Sequence, residues 1–302
     1  MALSKLSGDL QRDIFSQLCN VLDAGIAVAF GSTNSELRAL TEAERQQLKA
    51  GHEAAAALGR KLGMQSCKEL REAKEVVSRN SLTEADLSLL GTLGSSLPVL
   101  EKLFLLGESG PDGVQRLAEK LGAGALPSLT YLAVGMHVGD AGASALAAAL
   151  DQGAMPRLKS LILAKAAIGD AGLVALAPAL RRLPALEELY FRGCSFGDEG
   201  LAALVAPPPQ PAGALPPPTG GLAKLEVLDL EGFQITDAGC ATLADAITNG
   251  ALPALRALYL RDFRLASGAA IKAVHTAYMA QKAHKALELE RDERARCSCV
   301  IS

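Results

Sequence analysis

Leucines three positions apart, with a further apolar residue two positions on, recur along the middle of the chain. The sets are Leu100, Leu103 and Leu105; Leu129, Leu132 and Val134; Leu158, Leu161 and Leu163; Leu186, Leu189 and Phe191; Leu225, Leu228 and Leu230; and Leu255, Leu258 and Leu260. Successive sets start 29, 29, 28, 39 and 30 residues apart, which marks a repeat architecture. Each unit changes period halfway. Its first half, as in Leu186-Glu-Glu-Leu189-Tyr-Phe191, alternates apolar and polar residues and predicts a short strand. Its second half opens at a turn such as Gly169-Asp170-Ala171-Gly172 or Thr236-Asp237-Ala238-Gly239, then continues in Ala and Leu at spacings of three and four, which predicts a helix. The aspartate is expected to cap the helix it begins, because a carboxylate accepts the free amides of a first turn. The long interval contains 206–221, APPPQPAGALPPPTGG, with seven of the chain's 14 prolines. Proline fixes φ and removes donors, so this stretch reads as a loop inserted within one repeat.

One strand-turn-helix unit cannot bury both apolar faces, whereas stacked copies share a core. The pattern resembles the ribonuclease-inhibitor-like leucine-rich repeats over roughly 97–274. The resemblance implies an α/β solenoid, a horseshoe with parallel strands inside and helices outside, whose concave face holds another protein. It also implies Asn or Cys eight residues after each first leucine, to bond backbone in the turn. Here that position holds Glu108, His137, Ala166, Cys194, Phe233 and Phe263, so only Cys194 conforms.

The chain divides into three regions: a helical segment 1–65, a solenoid 66–275 carrying the proline-rich insertion, and a charged helix with its tail, 276–302. Thr41 to Glu44 and Ser66 to Glu69 are candidate capping boxes. Asn80 to Asp86 echoes the repeat turn, so 66–90 reads as a degenerate first repeat. Within the helical segment, 6–40 resembles a weak F-box through Leu10, Ile14, Phe15 and Leu18, although Ser7 stands where that module has proline. This resemblance implies the linker subunit of a cullin ubiquitin ligase as a partner. The sequence ends Cys299-Val300-Ile301-Ser302, which resembles a prenylation box of the farnesyl type, with Cys297 as a second acylation point. That motif implies attachment at a membrane surface, and the scattered cysteines fit a reducing, cytoplasmic compartment.

Composition narrows the function. Lys+Arg number 30 against 33 Asp+Glu, a net charge of -3, so there is no basic surplus for nucleic acid. The six cysteines include no C-x-x-C pair, and the four histidines show no ligand spacing, so neither a disulfide framework nor a metal site is expected. Gly122-Ala-Gly124 lacks the third glycine of a dinucleotide fingerprint, and no cofactor is implied. Gly193-Cys-Ser195-Phe-Gly197 matches a nucleophile elbow, with His275 downstream, but the same residues are accounted for by the repeat turn. No enzyme is expected. Binding is assigned instead to outward strand positions rich in Tyr and Arg: Tyr131, Tyr190, Arg192, Asp229, Glu231, Tyr259, Arg261 and Asp262. Three uses of that face are compatible with the sequence: a protein scaffold, the substrate receptor of a cullin ligase, and an inhibitor or regulator of a partner enzyme.

Overall fold

The computed structural model describes residues 10, 14–15, 18–32, 39, 41–205 and 222–299, without the side chains of 232–233 and 288–299. The insertion 206–221, residues 6–9, 11–13, 16–17, 33–38 and 40 of the F-box-like segment 6–40, and the last three residues lie outside the described residues. Seven strands form one parallel sheet in chain order: β1 (Glu75–Ser78), β2 (Lys102–Leu105), β3 (Tyr131–Val134), β4 (Ser160–Ala164), β5 (Glu188–Gly197), β6 (Val227–Gln234) and β7 (Ala257–Arg261). Among the described residues, α1 (Gly25–Gly31), α2 (Glu42–Lys61) and α3 (Cys67–Glu72) precede the sheet. One helix then comes after each strand in turn: α4 (Glu84–Thr92), α5 (Gly113–Lys120), α6 (Gly139–Asp151), α7 (Asp170–Arg182), α8 (Asp198–Val205), α9 (Asp237–Thr248) and α10 (Gly268–Cys299).

Register explains the leucine spacing. Val76, Leu103, Leu132, Leu161, Leu189, Leu228 and Leu258 stand side by side across the sheet, and all are buried. Each such side chain contributes about 1.5–3 kcal/mol, and only the stacked neighbours make that burial available. Parallel strands lie about 4.8 Å apart whereas packed helices need about 8–10 Å, so the sheet takes the inner side of the curve. Before each strand the backbone makes the same forked bond: Lys74 O accepts Glu101 N–H and Lys102 N–H at 2.8 and 3.0 Å, and Glu101, Thr130, Lys159, Glu187 and Glu226 accept from the next repeat likewise.

The helix starts correct one expectation. α7 begins at Asp170 itself, and the Asp170 carboxylate does not cap it. Its Oδ1 accepts instead from the following repeat, from Gly197 N–H at 2.8 Å and Gly200 N–H at 2.7 Å. The pattern recurs. Asp140 accepts Gly169 N–H at 2.7 Å, Asp198 accepts the N–H and hydroxyl of Thr236 at 2.9 and 2.5 Å, and Asp237 accepts Ser267 N–H at 2.6 Å. These aspartates form a side-chain ladder at the helix starts, where each repeat satisfies orphan amides of the next. The ladder also explains Gly172, Gly200 and Gly239, each two residues after an aspartate and each facing the aspartate of the previous repeat. A Cβ at Gly200 would lie 2.8 Å from Asp170 Oδ1, in the space the previous carboxylate occupies.

The N-terminal helices are joined to this stack. Leu22, Ala55 and Leu58 enter the main core, while Phe15, Ala27 and Leu48 make a small second one. Thr41 forms no side-chain cap on α2. Ser66 Oγ accepts Glu69 N–H at 3.1 Å, but Glu69 turns to Gln65 N–H at 2.6 Å. The complete capping box is Thr83 with Asp86, on α4. Asp86 also meets Lys61 Nζ of α2 at 2.6 Å. Burial works against its charge, but the bonds from Lys61 and Thr83 outweigh it and hold the carboxyl below its usual value.

At the other end, one helix spans both the last repeat and the tail expected from 276. Val274 and Tyr278 of α10 are buried, the Tyr278 hydroxyl donates to Arg256 O, and Gln281 Nε2 and Lys285 Nζ donate to Leu252 O and Pro253 O at 2.7 Å each. This helix covers the last repeat's open core. Among the described residues no helix is long and apolar enough to cross a membrane.

Candidate functional site

Alternation within the strands separates two faces. Leu161 and Leu163 of β4 point into the core, so Ser160, Ile162 and Ala164 face the inner surface, and the same parity holds in the neighbouring strands. One row across that surface reads Phe104, Ala133, Ile162, Tyr190, Asp229, Tyr259. The row beside it reads Lys102, Tyr131, Ser160, Glu188, Val227, Ala257. Tyr131 packs against Phe104 with ring centroids 5.0 Å apart. Three of the chain's four tyrosines therefore share one face of a protein that is only 4% aromatic.

The charged residues expected here divide by role. Asp229 is 1% exposed and lies between two arginines from the flanking strands. Arg192 donates to its Oδ2 through Nε at 3.2 Å and Nη2 at 2.9 Å, and Arg261 Nε donates to its Oδ1 at 3.1 Å. The two guanidiniums lie over Tyr190 and Tyr259, 5.5 and 5.6 Å from the ring centroids. Asp229 thus fixes the arginines and presents no free carboxylate, whereas Arg192 and Arg261 remain about half exposed at 48% and 54%. Glu231 accepts Gly193 N–H at 3.1 Å. Asp262 has left the strand with φ 51 and pairs with Arg264 at 3.8 Å. The structure brings Tyr131, Tyr190, Arg192, Tyr259 and Arg261 together as accessible groups and sets Asp262 at their margin.

Glu188 joins the residues expected from the sequence. Burial raises the pKa of the Tyr131 and Tyr190 phenols, and the Glu188 carboxylate raises both further; in register it stands two strands from Tyr131 and, along β5, two residues before Tyr190. Its signal in the sequence is an acidic residue at an outward position of β5, two before Tyr190.

The elbow-like segment Gly193–Gly197 belongs to β5. Cys194 and Phe196 are buried, Phe196 meets Phe191 edge-on at 5.5 Å, and the Ser195 hydroxyl donates to Ile168 O at 3.4 Å. Burial pushes the Cys194 thiol from 9.0 up to about 12. The neutral thiol in the fold contributes stability fully below pH 9, and that contribution is lost as pH rises toward 12. Iodoacetamide at pH 8 is accordingly expected to spare Cys194 in the folded protein and to modify it once denaturant is added. Alkylation of Cys194 under native conditions would contradict this burial. Among the described residues no three His, Cys, Asp or Glu side chains gather as a metal site. The side chains of Cys297 and Cys299 lie outside the described residues.

Residues 155–177 and 183–205 match the family model described as Leucine Rich repeat. No curated protein matches the chain. The two matched segments run through β4 with α7 and β5 with α8, two of seven units that repeat the same strand, turn and helix in one unclosed parallel sheet. In its fold the protein is a leucine-rich-repeat solenoid.

Proposed function

We propose that the protein is a recognition scaffold that holds another protein on its inner, strand-lined face. Leucine-rich repeats generally serve protein–protein interaction, and the observation that carries the reading here is the band of Phe104, Tyr131, Ile162, Tyr190 and Tyr259 with two arginines pinned beside it. Aromatic and arginine side chains combine large contact area with polar tips, and they dominate binding where their conformation is already fixed. An arginine at Ile162, in the middle of that face, is expected to weaken partner binding by tenfold or more, on the order of the effect of disrupting an interface centre. Val174→Arg on the exposed side of α7 is the control and is expected to leave binding unchanged. Equal binding by wild type and Ile162→Arg in a pull-down with purified partner would refute the reading.

The adaptor reading has its own support. α1 exposes Ile26 at 59% and Val28 at 41%, apolar positions suited to contact with another helical protein. In that reading the N-terminal segment contacts the cullin linker subunit while the inner face selects a target. Co-purification of the linker that survives Ile26→Asp with Val28→Asp, or that never occurs with wild type, rejects it.

A further inference from the structure

The inner face contains one polar cluster that the fold leaves unsatisfied. Ser160 is 4% exposed, and its hydroxyl is buried without a hydrogen-bond partner. Its strand neighbours in register are Tyr131 on one side and Glu188 on the other. Glu188 also stands two residues before Tyr190, on the same face. Other charges across β5 to β7 are met: Asp229 by Arg192 and Arg261, Asp262 by Arg264, and Glu231 by the Gly193 amide. The preceding residue, Glu187, pairs with Lys159 at 2.9 Å. Glu188 alone of these carboxylates has no ion pair or hydrogen bond from a cation among the described residues; its charge acts on the phenols of Tyr131 and Tyr190, and the charge of Arg192 acts on Tyr131 in the opposite sense.

A half-buried carboxylate on the same face as two tyrosines, one strand from an unpartnered hydroxyl, matches one kind of group. A cation on a flexible stem can meet the carboxylate and lie against the ring faces, and it reaches the fully covered serine hydroxyl once the side chains over it move aside. An acidic group would face the Glu188 carboxylate, which no ion pair neutralises, while the nearby Arg192 is already engaged by Asp229. We propose that the partner inserts a lysine or arginine side chain into the notch formed by Tyr131, Ser160, Glu188 and Tyr190. This rests on the inner face being the binding surface, and it adds the charge of the partner's anchoring residue. An unsatisfied buried hydroxyl costs the free protein stability, and the incoming cation removes that cost.

The test uses three fluorescein-labelled Gly/Ser peptides that differ only in carrying lysines, glutamates or alanines, titrated against the full chain by fluorescence anisotropy. The lysine peptide is expected to bind and the other two not. Glu188→Gln should weaken it about tenfold, as loss of a partly desolvated charge contact does. Glu187→Gln, one residue away and already paired, should leave it unchanged. Ser160→Ala should weaken lysine-peptide binding while leaving the melting temperature equal or higher, a combination that a merely structural serine would not give. The proposal is overturned if the lysine peptide binds no better than the alanine peptide, or if a folded Glu188→Gln variant binds it as wild type does. The Ile162→Arg pull-down separates the two levels. If that variant loses the partner while the peptides fail, only the notch is wrong; if it keeps the partner, the inner-face reading falls as well.

Discussion

Replacing Arg192 and Arg261 together by alanine is expected to cost about 3 kcal/mol of folding stability, the lower end of the range for a buried charge that loses its partners. Asp229 is 1% exposed, and both of its oxygens are occupied by these two side chains. Without them the carboxylate sits in the sheet surface with no counter-charge. The value falls at the low end because two truncated side chains also open a path for water. Each single replacement should cost much less than half, since one arginine remains to neutralise the acid, so the pair is non-additive. Adding Asp229→Asn to the double variant should recover most of the loss, because a neutral amide is less costly to bury than an unpaired charge. Urea unfolding reads all of these variants. A double variant as stable as wild type would show that Asp229 is not held by this pair.

The aspartate ladder supports a second result of similar size. Asp170→Ala removes an acceptor shared by Gly197 N–H and Gly200 N–H and leaves two part-buried amides without it. Bonds to a charged acceptor contribute about 1.5–3 kcal/mol each, and partial rehydration of the amides reduces the total to about 3 kcal/mol. Asp140→Ala breaks a single exposed bond to Gly169 and should cost only about 1 kcal/mol. Gly200→Ala tests the same junction from the other side. The added methyl would meet Asp170 Oδ1 at 2.8 Å and Phe196 Cβ at 3.0 Å, and the carboxylate cannot move without breaking its bonds. A cost of about 2 kcal/mol is expected from such overpacking. In the Asp170→Ala, Gly200→Ala double variant the methyl gains room, so the combined loss should fall short of the sum. Strict additivity would remove the ladder from the account of stability.

The parts of this architecture legible in the sequence are those written in one repeat at a time. The leucine spacing places six of the seven strands, because burial of one face forces period two whatever the neighbours do. The repeat that contains the first strand, Glu75–Ser78, carries Ala73, Val76 and Ser78 where later repeats carry leucine or another large apolar residue, so its pattern is faint. It is readable only through the turn at 80–86. Sequence does not reveal which repeat a side chain serves. Asp170 has the right type and position to cap α7, yet it bonds residues 27 and 30 positions away. The recurrent glycine two residues after each aspartate is the available trace, a vacancy with no cause visible inside one repeat. Asp229 is the same lesson at the site: alternation puts it on the inner face, and only the flanking strands show that two arginines cover it. Glu188 escapes a sequence reading because an isolated acid has no distinctive spacing; its significance comes from Tyr131, two strands away.

The central claim is that the inner strand face, and not the outer helices, is where a partner is held. It is tested most directly by placing the photo-crosslinking residue benzoyl-phenylalanine at Tyr259, 47% exposed on β7, or at Val174, 39% exposed on α7. Both proteins are then irradiated in cells and the adducts identified. The account predicts a discrete protein adduct from position 259 and none from position 174. Adducts from 174 with none from 259 would contradict it.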